Sequence, residues 1–184
     1  MRAMPKAAAA SAVGYPKGGL GDALHDVARL VKANVGLRVA TVDFGNWDMH
    51  ADLGRSDAGW MHDQLTQLSG ALAAFATELG TDLNRVTLIT LSEFGRRVEQ
   101  NGSGGLDHGH GNAVLLLGGG VAGGTVYGRW PGLAEAALVD GDLAGTTDYR
   151  AVLSEVLSRR CGVAAARTVF PGFAAAPLGV VRAR

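Results

Sequence analysis

Two continuous apolar runs, residues 86–91 and 113–117, bracket a stretch in which glycine alternates with ionisable groups. It reads Ser92-Glu93-Phe94-Gly95-Arg96, then Gly104-Gly105-Leu106-Asp107-His108-Gly109-His110-Gly111. Unbroken apolar runs of this length belong to strands buried on both faces, as in parallel sheets covered by helices. Glycine lets the backbone turn sharply and expose its amides, while Asp, Glu and His hold divalent cations. The chain must therefore fold two buried strands around a polar loop built to bind. A smaller stretch of the same chemistry, Asp43-Phe44-Gly45-Asn46-Trp47-Asp48-Met49-His50, follows a third apolar segment.

The rest of the chain supplies helices for such a sheet. Leu20, Leu24, Val27, Leu30 and Val31 recur at helical spacing, and residues 37–42 read as a short β-branched strand. Residues 57–79 carry Met61, Leu65, Leu68, Leu72, Phe75 and Leu79 on one helical face, with Gly80 as the stop. Residues 123–128 suggest a tight hairpin or edge segment. Residues 147–161 form another amphipathic helix that Thr146 or Thr147 can cap. Residues 1–19, rich in Ala, Gly and Pro, read as a flexible N-terminal segment preceding a domain over 20–184, and the tail from Thr168 is irregular.

This order predicts an α/β fold with a mostly parallel central sheet flanked by helices. In such sheets ligands bind at the carboxyl ends of the strands. Asp48, His50 and Glu93 follow their strands, whereas His108 and His110 precede theirs. For all of them to meet, strand 113–117 must run antiparallel to strand 86–91.

Composition narrows the function. With 17 basic and 17 acidic side chains the net charge is zero, which argues against an electrostatic nucleic-acid binder. The single cysteine, Cys161, excludes an internal disulfide and a cysteine-based zinc cluster, and reads as a small packed hydrophobe. No apolar run is long enough to span a membrane. The N-terminal residues do not make an export signal, so the chain taken literally is cytoplasmic.

Asp48 and His50 are two positions apart and point the same way on an extended loop. Asp107, His108 and His110 offer further donors with little steric hindrance. A mixed carboxylate and imidazole set suits zinc, manganese, magnesium or calcium. The alternative is that these groups pin a glycine loop by hydrogen bonds. Glu93 at a strand end calls for a partner, and Arg96 or Arg97 can neutralise it. Arg96 can instead meet an anion, its planar fork matching phosphate or sulfate oxygens. Ser92 suits a local loop hydrogen bond better than a nucleophile. Trp47 suits a packing anchor, and Gly118-Gly119-Gly120 suits a close backbone approach. His25 and His62 fall on helical segments and receive no role.

The segments WDMH, LSEFGRR through GGLDHGHGNAVLLLGGGVAGGTVYG, and TTDYRAVLSEVL together resemble the bacterial domain-of-unknown-function family 1501, from about Gly36 to Gly162. That family is grouped with the alkaline phosphatase and sulfatase-like superfamily. The resemblance implies a sheet with two metal ions at one end of its strands. Ser92-Glu93-Phe94-Gly95 stands where the superfamily has Ser-Asp-His-Gly, so Glu93 replaces an aspartate ligand and Phe94 cannot ligate. Asp107 and His108 could compensate. Asp48 and His50 look like the earlier Asp and His ligands, and His108 or His110 like the late histidine. Met49, Arg97 and Leu106 stand where the family pattern has threonine.

The superfamily nucleophile and its strand find no counterpart before Asp48, and family members are typically about twice as long and exported. By resemblance the chain is the C-terminal half of a metal-dependent hydrolase-type domain acting on a small anionic ester, without its nucleophile. The other reading is a catalytically inactive binding or structural module. In either case an exposed sheet edge would favour self-association.

Overall fold

A computed structural model of the chain describes residues 13–163, 166–174 and 176–183. Most of the N-terminal segment expected to be flexible, residues 1–12, lies outside the described residues. The chain divides into two compact units. One comprises the described part of Met1–Leu83 with Gly102–Gly105, and the other Asn84–Asn101 with the described part of Leu106–Arg184.

The first unit is a helix pair. Helix α1, Gly19–Lys32, buries Leu20, Leu24 and Ala28, four residues apart on one face. Its acidic Asp22 sits in the first turn and its basic Arg29 and Lys32 in the last, which suits the helix dipole. Helix α2, Trp60–Leu79, packs on α1 and buries Ala71, Ala74, Phe75 and Leu79. It starts later than residue 57 because the chain first turns back on itself, with Arg55 N donating to Ala58 O at 2.7 Å. Gly80 ends it with φ 51°. Beside the pair, burial pushes the Tyr15 phenol upward, and the Glu78 carboxylate adds to the shift.

Residues 37–42 do not form the expected strand. Among the described residues no ladder includes them, and residues 32–41 are exposed throughout. β-branched composition favours a pleated, half-buried surface, but a strand needs a neighbour to bond.

In the second unit the strands are β1 Thr87–Ile89, β2 Gly95–Arg96, β3 His108–Gly109 and β4 Leu116–Gly118. β1 pairs antiparallel with β4, with Thr87 opposite Gly118 and Ile89 opposite Leu116. β2 pairs antiparallel with β3, with Gly95 opposite Gly109 and Arg96 opposite His108. Helix α3, Tyr149–Arg160, is capped by Asp148, whose side chain accepts from Arg150 N, rather than by Thr146 or Thr147. Thr146 Oγ1 instead donates to Arg129 O. The Arg150 guanidinium holds the Asp148 carboxyl below its ordinary range.

Val152 and Val156 of α3 pack with Val180 and Val181, and Ile89, Leu116 and Leu178 close this core. The buried Glu155 carboxylate fastens the last segment. It accepts from Leu178 N and Gly179 N at 2.8 and 2.9 Å and from Val181 N at 2.8 Å. Gly119 approaches the backbone closely, since a Cβ there would fall 1.9 Å from Asn84 O. Cys161 is free and half-buried.

The expected mostly parallel central sheet is absent among the described residues. They hold three α-helices and two small antiparallel pairs. The antiparallel pairing of the 86–91 and 113–117 regions is present, but only as a three-residue ladder. The physical reason is coverage: a parallel sheet needs helices over both faces. All the ladder residues of β1 and β4 are only half-buried, packed from the α3 side. The 123–128 segment forms no strand, and Val126 in it is almost wholly exposed. No helix among the described residues is long and apolar enough to cross a membrane.

Candidate metal centre

The Trp47-Asp48-Met49-His50 loop belongs to the first unit. Met49 is fully buried, one of the two largest side chains so enclosed, together with Phe75. Two successive three-residue turns fix the backbone around it, Met49 N donating to Trp47 O and His50 N to Asp48 O. Upstream, the Gln64 amide donates to Gly45 O at 2.8 Å and Asn46 O at 3.2 Å. Trp47 meets Phe44 edge to face at 5.5 Å, the packing anchor its position suggested. Downstream, Asp52 N donates to Ser103 O and Leu53 N to Gly104 O, so the glycine stretch 102–105 lines this loop. Gly105 is indispensable there, because a Cβ would stand 2.1 Å from the His50 carbonyl carbon.

With Met49 turned inward, Asp48 and His50 both face solvent, and His50 Nε2 lies 3.1 Å from Asp48 Oδ1. Two donors on one tetrahedral ion at about 2.1 Å stand about 3.4 Å apart, and on an octahedral ion about 3.0 Å. The observed separation is an ion-pair and hydrogen-bond distance, and two donors of a single divalent ion can stand equally far apart. An open depression in the same unit, lined by Arg55, Met61, His62, Leu65 and Ser69 among others, includes neither donor.

The other residues expected to ligate belong to the second unit. Glu93 is exposed, just ahead of β2. Arg97, expected as its neutralising partner, pairs with Asp142 at 3.3 Å instead. Asp107 Oδ1 accepts from Asn101 Nδ2 at 2.9 Å. His108 stacks on the Phe94 ring, centroids 3.8 Å apart and planes 24° apart. His110 lies against Gly145, where a Cβ would fall 2.8 Å from its Nε2. No three of Glu93, Asp107, His108 and His110 bring ligand atoms within 4.8 Å of one another.

Arg96 donates from Nη1 to Leu106 O at 2.8 Å and lies over the Phe94 ring. Its fork thus serves the hairpin directly. Ser92 Oγ donates to Phe94 O at 2.8 Å, a local loop bond.

Sequence reasoning passed over one ionisable cluster. The nearly buried Glu78 side chain lies 3.8 Å from His25 Nε2 and 3.7 Å from Lys32 Nζ, and Tyr15 stacks on His25 at 5.4 Å. The signal was available, since Glu78 precedes the buried Leu79 on a helix whose neighbour carries His25 and Lys32.

The described residues thus form a helix pair and a small α/antiparallel-β unit, and the first carries an exposed carboxylate–imidazole pair 3.1 Å apart. The chain belongs to the family described as protein of unknown function (DUF1501), whose model matches residues 27–154, more than half of the sequence. That match spans the Asp48–His50 loop and the whole glycine-rich block. Neither the curated proteins nor the solved structures searched contain a match to this chain.

Proposed function

We propose that this chain binds a divalent cation through Asp48 and His50 and, so loaded, takes part in hydrolysis of a small phosphate or sulfate ester. The observation that carries the reading is the 3.1 Å separation of the two exposed donors, held by a loop whose centre is the buried Met49. The family resemblance to alkaline phosphatase and sulfatase enzymes supplies the substrate class. A bound divalent ion provides Lewis-acid polarisation of an ester oxygen. Within the chain, Asp48 contributes charge and His50 a neutral nitrogen, a mixture accepted by zinc and manganese. Glu93, Asp107, His108 and His110 enter the proposal as further ligands on the sequence argument. His108 comes first, because stacking on Phe94 fixes its ring plane while nitrogen lone pairs lie in that plane.

Calorimetric titration of the chain with Zn²⁺, Mn²⁺, Mg²⁺ and Ca²⁺ tests the reading, alongside turnover of p-nitrophenyl phosphate and p-nitrophenyl sulfate. Asp48→Ala or His50→Ala should weaken the ion by more than about 100-fold, beyond the 10–100-fold typical of an outer-shell partner. Binding that survives the double variant unchanged sinks the proposal. A second reading, an ion-binding module without turnover, is favoured by Ser92 and Arg96, whose polar groups are bonded to backbone carbonyls. Tight binding with no ester cleavage selects it.

A further inference from the structure

Five asparagines are spread along the chain, and of these Asn101 alone is followed by glycine. The others precede Val35, Trp47, Arg85 and Ala113. That difference has chemical content. The backbone nitrogen of the next residue can attack an asparagine side chain at Cγ and close a five-membered imide. A Cβ on that next residue crowds the approach, and glycine has none.

The structure leaves the attacking nitrogen accessible. Gly102 and Ser103 form an exposed turn ahead of β3. Among the described residues no hydrogen bond engages the Gly102 amide. Nothing stands within 4 Å of where a Gly102 Cβ would point, and its φ lies outside the left-handed region. The amide that would leave is in place, Asn101 Nδ2 donating to Asp107 Oδ1 at 2.9 Å. Asn112 supplies the contrast. Its Nδ2 donates to Phe94 O, and its Oδ1 accepts at 2.7 Å from Ala113 N, the nitrogen that would have to attack.

We propose that Asn101-Gly102 is a site of spontaneous deamidation in the folded protein. The Gly102 nitrogen bonds to Asn101 Cγ, the Cγ–Nδ2 bond breaks, and Nδ2 leaves as ammonia carrying the Gly102 proton. Water then opens the imide. Addition at Cγ gives aspartate at 101, and addition at the main-chain carbonyl carbon routes the chain through the side chain as isoaspartate. Nothing is oxidised or reduced. In the aspartate product a carboxylate stands where Nδ2 donated, so the bond to Asp107 is lost and two like charges meet. The reaction uses neither Asp48 nor His50.

Incubation of the full chain at neutral pH and physiological temperature, followed by peptide mapping with fragmentation in the mass spectrometer, tests this. The change at Asn101 should appear as a gain of about 1 Da, divided between aspartate and isoaspartate forms. It should accumulate at least about tenfold faster than at Asn34, Asn46, Asn84 or Asn112. Gly102→Ala should slow it about tenfold or more, because the added methyl crowds the attacking nitrogen. That methyl enters open space at an ordinary φ, so the variant should melt as the wild type does. Conversion at Asn101 no faster than at the other asparagines, a wild-type rate in Gly102→Ala, or conversion confined to the guanidinium-unfolded chain would each overturn the proposal.

Discussion

A fully buried methionine between two exposed donors makes the backbone at 48–50 the part of the loop that must hold still, and Gly105 is what holds it. Since a Cβ at that position would stand 2.1 Å from the His50 carbonyl carbon, backbone against backbone, Gly105→Ala must displace His50. We expect Gly105→Ala to weaken ion binding about tenfold or more while leaving both ligands in the sequence. Overpacking of this kind should also cost about 1–3 kcal/mol of stability. Calorimetric ion titration and urea unfolding of the same variant measure the two effects, and unchanged affinity would remove Gly105 from the loop's support.

At this scale the sequence was readable where the geometry is local. The two-residue spacing of Asp48 and His50 is enough to place them on one side, and their pairing follows. Glu93, expected to call for a partner at the end of a strand, is exposed because the ladder stops at Ile89. Phe94, read only as a residue unable to ligate, turns out to be the platform on which His108 stacks and over which Arg96 lies.

Helices were legible along the chain because their signal, an apolar face every 3.6 residues with caps at the ends, is contained in the helix itself. Strands depend on a neighbour that the local pattern does not name. Residues 37–42 have every propensity for a strand and no ladder, while 116–118 forms one with 87–89 despite lying at the end of its apolar run. The cap of α3 shows the same limit in miniature: Asp148 takes the position, and Thr146 is drawn to Arg129.

The most consequential element contact was invisible in sequence. Glu155 looks like an ordinary charged helix residue, yet its buried carboxylate accepts three backbone amides of residues 178–181. Glu155→Ala would orphan those donors, at about 1–3 kcal/mol for each that stays buried. We expect a loss of at least about 3 kcal/mol in urea unfolding, with faster hydrogen exchange at Leu178, Gly179 and Val181. Glu155→Gln, which keeps one acceptor oxygen, should lose less. The exposed Arg159→Ala should stay within about 0.5 kcal/mol of wild type. Equal stability of Glu155→Ala and wild type would show that the last segment is held by its valines alone.

For the whole molecule, the expectation of a parallel sheet failed at the step from strand propensity to sheet topology. Apolar runs announce burial, but not the number of strands or the direction of pairing, and the described residues assemble as two units with separate cores. The metal proposal has its thermodynamic test at this scale. An ion that binds only the folded state stabilises it by about 2.7 kcal/mol at a concentration 100 times its dissociation constant. For a chain of this size that corresponds to a rise of roughly 5–10 °C in the melting temperature. Scanning calorimetry with and without saturating ion should show this rise for wild type. It should be absent from Asp48→Ala combined with His50→Ala, and EDTA should reverse it. A melting profile unmoved by any of the four ions would remove the thermodynamic basis of the centre.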